Sequence, residues 1–131
     1  MSYLLDTNIC IRFLNGTDSD LAKRLLDCPP DELFLCSIVK AELLYGARKS
    51  DRVADNLLRL ERFFAALESL PFSDDAASQY GLLRAQLERS GELIGANDML
   101  IASIALAWDL TLATRNVREL SRVPGLRVER W

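Results

Sequence analysis

The sequence contains no histidine among its 131 residues. This absence excludes every kind of site that requires the imidazole side chain. These are Ser–His and Cys–His catalytic pairs, histidine general bases and most zinc enzymes. The three cysteines, Cys10, Cys28 and Cys36, are odd in number and form no C-x-x-C motif, which argues against a disulfide framework. We expect reduced thiols that fill core space, and any enzymatic chemistry should use carboxylates and a hard metal ion.

The chain also lacks long apolar runs. None reaches the roughly 20 residues that a membrane-spanning helix needs. The N-terminal segment has neither the basic region nor the apolar stretch of a signal peptide, so we expect a cytoplasmic protein. With 50% hydrophobic and 27% charged residues, the composition is typical of a globular chain. The length predicts one domain over residues 1–131.

Charge is distributed unevenly along the chain. The net charge of −3 argues against broad coating of nucleic acid. Between Leu110 and Trp131, however, five arginines face two glutamates, a local charge of +3, so the first 109 residues carry −6. A basic C-terminal face beside an acidic site could hold a phosphate backbone. The ordinary alternative is a solvated surface.

Short apolar runs alternate with segments of helical spacing throughout the chain. This alternation predicts an α/β fold with a mostly parallel sheet and helices on both faces. The predicted strands cover residues 3–5, 33–36, 67–72, 110–114 and 126–128. In such folds a ligand lies at the carboxyl ends of the strands.

Local patterns give further expectations about single residues. Leu21, Leu25 and Leu26 should face inward from a helix that ends near Asp27. Ser37 is predicted to cap the helix that follows the second strand. The segment 99–108 is apolar on nearly every side and should form a helix buried between layers.

Polar side chains stand where apolar segments meet loops or open helices. Asp6 ends the first strand, Glu42 lies on the helix after the second, Asp98 opens the most apolar helix, and Asn116 and Glu119 follow the penultimate strand. Each residue taken alone is explained as a helix cap, a turn residue or an exposed charge. The predicted topology could bring them to one edge of one sheet, where carboxylates would repel one another without a cation. The set therefore favours a site for Mg²⁺ or Mn²⁺.

Five short segments together resemble the PIN-domain ribonucleases, and most of all the VapC toxins of bacterial toxin–antitoxin pairs. The segments, in order, are 4–8 (LLDTN), 42–47 (ELLYGA), 94–102 (IGANDMLIA), 112–116 (LATRN) and 122–126 (RVPGL). Each is loose by itself, but five in order along the whole chain are specific. The resemblance implies a three-layer α/β/α fold around a central five-stranded parallel sheet.

The same resemblance implies an acidic catalytic site. It assigns catalysis and metal binding to Asp6, Glu42 and Asp98, with Mg²⁺ or Mn²⁺ as the cofactor. Asn116 stands where many relatives have aspartate, so Glu119 would supply the fourth acid while Asn116 binds metal through its amide or a water. Thr7 and Thr114 could supply supporting hydroxyls, which the resemblance does not assign more closely.

The resemblance also implies the substrate and the partners. Single-stranded or looped RNA would be cut, with a tRNA anticodon stem-loop, that of initiator tRNA, as the best candidate. Arg115 and Arg118 are candidates for contacts to flanking phosphates. A homodimer is implied within a larger assembly that includes a cognate VapB-type antitoxin, whose tail covers the acidic site and places an arginine against the carboxylates.

Other readings of the acids fit less well. A receiver domain would need an acidic pair near the first strand and a late lysine, yet Asp6 stands alone and no lysine follows Trp108. A haloacid-dehalogenase-type phosphatase would need D-x-D, where this chain has Asn8. A catalytically degenerate PIN-like module that binds RNA or protein remains an alternative.

Overall fold

Five parallel strands form one sheet with helices on both faces, as the computed structural model of residues 1–131 shows. This confirms the predicted three-layer α/β/α class. The strands are β1 (Tyr3–Leu5), β2 (Leu33–Cys36), β3 (Glu68–Leu70), β4 (Thr111–Thr114) and β5 (Val128–Arg130). The helices are α1 (Thr7–Asn15), α2 (Ser19–Asp27), α3 (Ser37–Arg48), α4 (Val53–Ala66), α5 (Asp74–Arg89), α6 (Ala96–Ala107) and α7 (Val117–Leu120), with a 3-10 turn at Pro30–Glu32.

The strand order is β3-β2-β1-β4-β5, so the first strand lies at the centre. Leu4 in β1 stands opposite Phe34 of β2 on one side and Leu112 of β4 on the other. From β1 the chain adds β2 and β3 on one side, then returns to add β4 and β5 on the other. The reversal makes the carboxyl ends of β1 and β4 the topological switch point, where open α/β sheets bind their ligands.

The core consists of 29 buried hydrophobic residues from both helical layers and the sheet. Helix α6 is buried over much of its surface, as predicted, with Ala102, Ile104 and Ala105 fully inaccessible. Because α6 lies against the interior on several sides, the core sets the position of the helix that carries Asp98 in its first turn. None of the helices combines the length and hydrophobicity that a bilayer crossing requires.

The C-terminal segment is tied to the first two helices. The Trp131 ring packs on Tyr3 with ring centres 4.7 Å apart, and the Arg24 guanidinium lies 4.7 Å from the Trp131 ring centre. Arg12 donates a hydrogen bond to the Trp131 carbonyl at 3.3 Å and also pairs with Asp18. Aromatic and charged contacts thus join α1, α2 and the end of β5.

Three local expectations were wrong. Leu26 is 77% exposed, because it lies one residue, about 100° of helix, past the buried Leu25. Cys36 occupies the N-cap position of α3, so Ser37 is already helical and cannot cap. The last strand begins at Val128 and not at Leu126, because the Leu126 amide is used in a turn to Val123.

Candidate active site

Asp6 lies at the switch point and is fixed from two directions. It caps α1, where Oδ1 accepts the Thr7 amide at 2.8 Å, while Oδ2 accepts the Thr114 hydroxyl at 2.6 Å. Its own amide donates to the Ala113 carbonyl at 3.0 Å. The side chain is only 4% exposed, and this burial raises the pKa of the carboxyl, although the two hydrogen bonds work in the opposite direction.

Glu42 reaches the same place from helix α3. Its Oε1 accepts a hydrogen bond from the Thr7 hydroxyl at 2.8 Å. Thr7 therefore bonds to Asp6 through its amide and to Glu42 through its side chain, which holds the two acids next to each other. Neither Lys40 nor Arg48, its basic neighbours on α3, pairs with Glu42.

Asp98 lies in the first turn of α6 and is half-buried. Burial, and then the negative charges of Asp6, Glu42 and Glu119, together raise the pKa of its carboxyl to about 6. An acid that senses three other acids must lie close to all of them. Asp98 therefore lies in the same region as Asp6, Glu42 and Glu119, the other acids predicted from the sequence.

Asn116 links the remaining acids. Its side-chain amide donates to Glu119 Oε2 at 3.2 Å and to Asp98 Oδ2 at 3.5 Å, and its backbone amide donates to Thr114 Oγ1 at 3.0 Å. The neutral NH₂ group lies between two carboxylates and partly offsets their repulsion. Thr114 joins this bridge to Asp6, so the acids form one connected hydrogen-bonded group.

No basic side chain neutralises these acids. The ion pairs of the chain all lie elsewhere, and none includes Asp6, Glu42, Asp98 or Glu119. Uncompensated carboxylates of this kind favour binding of a cation. Oxygen donors without imidazole or an accessible thiolate suit a hard divalent ion.

The acids do not form a ready-made metal cage, since no three such groups lie close enough together to enclose an ion. This arrangement fits Mg²⁺ better than Ca²⁺, because Mg²⁺ is usually held by one or two carboxylates, several waters and substrate phosphates. The donor set is therefore chemically suitable for Mg²⁺ or Mn²⁺. Binding of the ion by Asp6, Glu42 and Asp98 stays a prediction.

Arg115 and Arg118, the candidates for RNA contacts, are exposed on the segment that follows β4. The ion pairs of this part of the chain use Arg122 with Glu92, at 3.9 Å, and Arg127 with Asp109, at 2.9 Å. Arg115 and Arg118 thus remain available to an anion beside the acidic group.

Two residues beside the site escaped the sequence reasoning. Tyr45 on α3 and Lys49, the C-cap residue of that helix, line the same cavity as Glu42, and both are exposed. Helical spacing could have found them, because positions three and seven residues beyond Glu42 share its face of the helix.

Comparison with known proteins identifies the family. The PIN-domain family model matches residues 3–126. The chain is 42% identical to "Ribonuclease VapC2" of Rickettsia felis over all of this chain (100%) and 98% of that protein. It is 36% identical to the "tRNA(fMet)-specific endonuclease VapC" of Salmonella typhimurium, again over 100% of this chain and 98% of that protein.

Solved structures give the same result. VapBC2 from Rickettsia felis, bound to a DNA fragment from its promoter, superposes with a TM-score of 0.93 at 41% identity, covering 100% of this chain and 99% of that one. DNA-bound VapBC from Salmonella typhimurium has a TM-score of 0.93 at 36% identity, with coverage of 100% and 98%. With a parallel sheet, an acidic switch point and full-length relatives of this kind, the chain belongs to the PIN-domain family, within its VapC group of ribonucleases.

Proposed function

We propose that the chain is the Mg²⁺- or Mn²⁺-dependent endoribonuclease toxin of a toxin–antitoxin pair, acting in the cytoplasm. The observation that supports this most directly is the convergence of Asp6, Glu42, Asp98 and Glu119 at one sheet edge without any basic partner. The full-length relatives named as VapC ribonucleases support the choice of RNA as substrate.

The residues divide the work as follows. Asp6, held by Thr7 and Thr114, provides a rigid carboxylate, and Glu42 and Asp98 provide two more, so that the cation would be held directly by some of the three and through water by the rest. A divalent ion bound there supplies positive charge that makes water a better nucleophile and stabilises charge on the phosphate and the leaving oxygen. Hydrolysis of this kind leaves a 5′ phosphate and a 3′ hydroxyl.

Asn116 and Glu119 form the other side of the site. Glu119 adds the fourth negative charge, and the Asn116 amide keeps it next to Asp98. Both would assist binding of the ion through water. On the substrate side, Arg115 and Arg118 are free to contact phosphates that flank the scissile bond.

For the substrate we propose single-stranded or looped RNA, and within it the anticodon stem-loop of initiator tRNA. Bases in loops are splayed and can be contacted individually, whereas the deep major groove of an RNA duplex is closed to side chains. The Salmonella typhimurium relative, named a tRNA(fMet)-specific endonuclease, supports this target.

The partner we propose is a VapB-type antitoxin, with the chain as a homodimer inside the complex. The VapBC complexes among the structural relatives support such a partner. Because no basic side chain of this chain pairs with the acids, an arginine from the antitoxin tail could form bidentate hydrogen bonds with them. That arginine would keep the divalent ion from binding. Co-expression with a cognate VapB-type antitoxin should therefore yield a complex without nuclease activity.

The test is cleavage of an initiator tRNA transcript by the purified chain. Wild-type protein with Mg²⁺ should cut within the anticodon loop, and EDTA or Asp98→Asn should abolish cutting. The matched control is Asp75→Asn, which changes an exposed first-turn acid of α5 outside the hydrogen-bonded acidic group and should retain full activity. A folded wild-type chain that binds the RNA but cuts nothing, with either ion, would instead identify a degenerate binding module.

A further inference from the structure

A stripe on the outer face of α3 runs away from the acidic site. Glu42, Tyr45 and Lys49 lie at spacings of three and four residues, so their side chains project from one face of the helix. With a rise of 1.5 Å per residue, Tyr45 lies about 4.5 Å and Lys49 about 10.5 Å beyond Glu42 along the helix axis. The stripe therefore begins at an acid of the site and ends at a positive charge.

This stripe forms one wall of a cavity of about 590 Å³. Its lining includes Glu42, Tyr45 and Lys49, together with Thr7, Asn8 and Asn97. Thr7 and Glu42 belong to the acidic group, and Asn97 precedes Asp98. The cavity is thus continuous with the site, and its volume lies within the range of small-molecule binding pockets.

The Tyr45 ring is placed for stacking. It is 66% exposed, and the Lys49 ammonium lies 5.0 Å from the ring centre. The ammonium lies over one face of the ring, so a planar partner would stack on the opposite face. Exposed aromatic rings with a nearby cation are the common means by which proteins hold unpaired nucleotides.

We propose that Tyr45 and Lys49 form the subsite for the nucleotide next to the scissile phosphate. Tyr45 stacks on its base, and Lys49 pairs with the phosphate on the side away from the acids. The proposal rests on the RNA substrate proposed above and adds how that substrate is held. It requires a base that is not stacked in a duplex, which selects loops and single strands.

Binding can be measured without cleavage. All variants are made in the Asp98→Asn chain, and the probe is a fluorescein-labelled anticodon stem-loop of initiator tRNA, titrated in Mg²⁺ by anisotropy. Tyr45→Ala should raise the Kd roughly 5- to 150-fold, the range found for loss of one stacked base. Tyr45→Phe keeps the ring and should bind within about twofold of the parent chain.

Lys49→Gln should act through charge. Loss of one phosphate contact reduces the slope of log Kd against log salt by about 0.7 for a single strand. The matched controls are Trp108→Ala, an exposed aromatic at the other end of α6, and Lys23→Gln, an exposed lysine on α2. Neither control should change the Kd or the salt slope.

A base-by-base test identifies the contact. The probes are stem-loops that each carry one abasic nucleotide. Loss of the base at a single position should weaken binding to the parent chain as much as Tyr45→Ala does. The same abasic stem-loop should bind the Tyr45→Ala variant no more weakly than the intact stem-loop does. Equal Kd values for Tyr45→Ala and the parent chain, or no such position, would overturn the subsite while cleavage by the wild-type chain still supports the nuclease.

Other occupants would give different results. If Tyr45→Ala retained RNA affinity and instead changed the sedimentation coefficient of the chain, the surface would join two copies and the subsite would be wrong. If it retained RNA affinity but lost the co-expressed antitoxin, the stripe would be a protein contact, which also overturns the proposal. A chain that binds no RNA at all would overturn the proposed function and the subsite together.

Discussion

Removing the charge of Asp98 should stabilise the metal-free chain. In the folded state the pKa of this carboxyl is raised from 3.8 to about 6, mainly by burial and then by the three neighbouring acids. The unfolded chain therefore loses this proton at lower pH than the folded chain does. It follows that stability falls as pH rises from 3.8 to about 6, and stays lowered above that range.

The size of the effect follows from the same values. At about 1.4 kcal/mol for each pH unit between them, the cost is about 3 kcal/mol. Solvent screening of a half-buried group reduces this to about 1.5 kcal/mol. Asparagine also gives up the favourable interaction of a charge with the first turn of α6, about 0.5 kcal/mol. Asp98→Asn should thus be about 1 kcal/mol more stable than wild type.

The assay is urea unfolding in EDTA at several pH values. The advantage of Asp98→Asn should be about 1 kcal/mol at pH 7.5 and should vanish near pH 4, where the folded wild-type carboxyl is protonated. The matched control, Asp75→Asn, removes an exposed first-turn acid of α5 that is not part of the hydrogen-bonded acidic group. It should lose about 0.5 kcal/mol at pH 7.5.

Adding Mg²⁺ should reverse the order. A cation that binds only the folded chain stabilises it by mass action, and wild type should gain more than Asp98→Asn because it keeps the carboxylate. Loss of as much stability by Asp98→Asn as by Asp75→Asn, in EDTA at pH 7.5, would contradict this expectation. The site would then carry no accumulated negative charge.

Two further outcomes are expected. Thr114→Val should lower the free energy of unfolding in urea by about 1–3 kcal/mol, because Asp6 loses a buried hydrogen bond. The same bond orients Asp6, so the substitution should lower kcat more than it raises KM. Equal kcat values for Thr114→Val and wild type would show that the hydroxyl does not position Asp6. In the folded chain a thiol reagent at pH 8 should label the partly exposed Cys28 and spare the buried Cys10 and Cys36 until the chain unfolds. The reason is that burial raises the pKa of both buried thiols, that of Cys36 to about 11. Mass spectrometry of the labelled peptides measures which thiols have reacted.

The sequence predicted the fold well where local patterns are strong. The apolar run before Asp6 and the alternation that follows were enough to predict a parallel sheet. Gly16 ends α1 with a φ of 67°, a conformation that glycine adopts readily. Prediction was poor where tertiary contacts decide. Whether Leu26 faces inward depends on α2 having a narrow buried stripe, and the start of β5 depends on the turn at Gly125.

The candidate site shows the same division. The residue types and the strand ends indicated which acids to consider, and the structure brings them together. The roles within the group were harder to foresee. No spacing rule shows that Asn116 donates to Asp98, or that the Thr7 side chain donates to Glu42, because these contacts join residues 18 and 35 positions apart in the sequence. Their catalytic and metal-binding roles remain predictions.

The pairing of β1 with β4 has a consequence for synthesis of the protein. Thr114 and Asp6 are separated by 108 residues, yet their hydrogen bond closes the site. At about 5–20 residues per second, a ribosome needs about 5–20 s after it has made β1 to add β4. A nascent chain holds Asp6 and Glu42 for most of that time without the carboxylate and hydroxyl that complete the group. A fragment released early therefore contains some of the acids without the complete site. The proposed toxin becomes active only when synthesis of its chain is nearly finished.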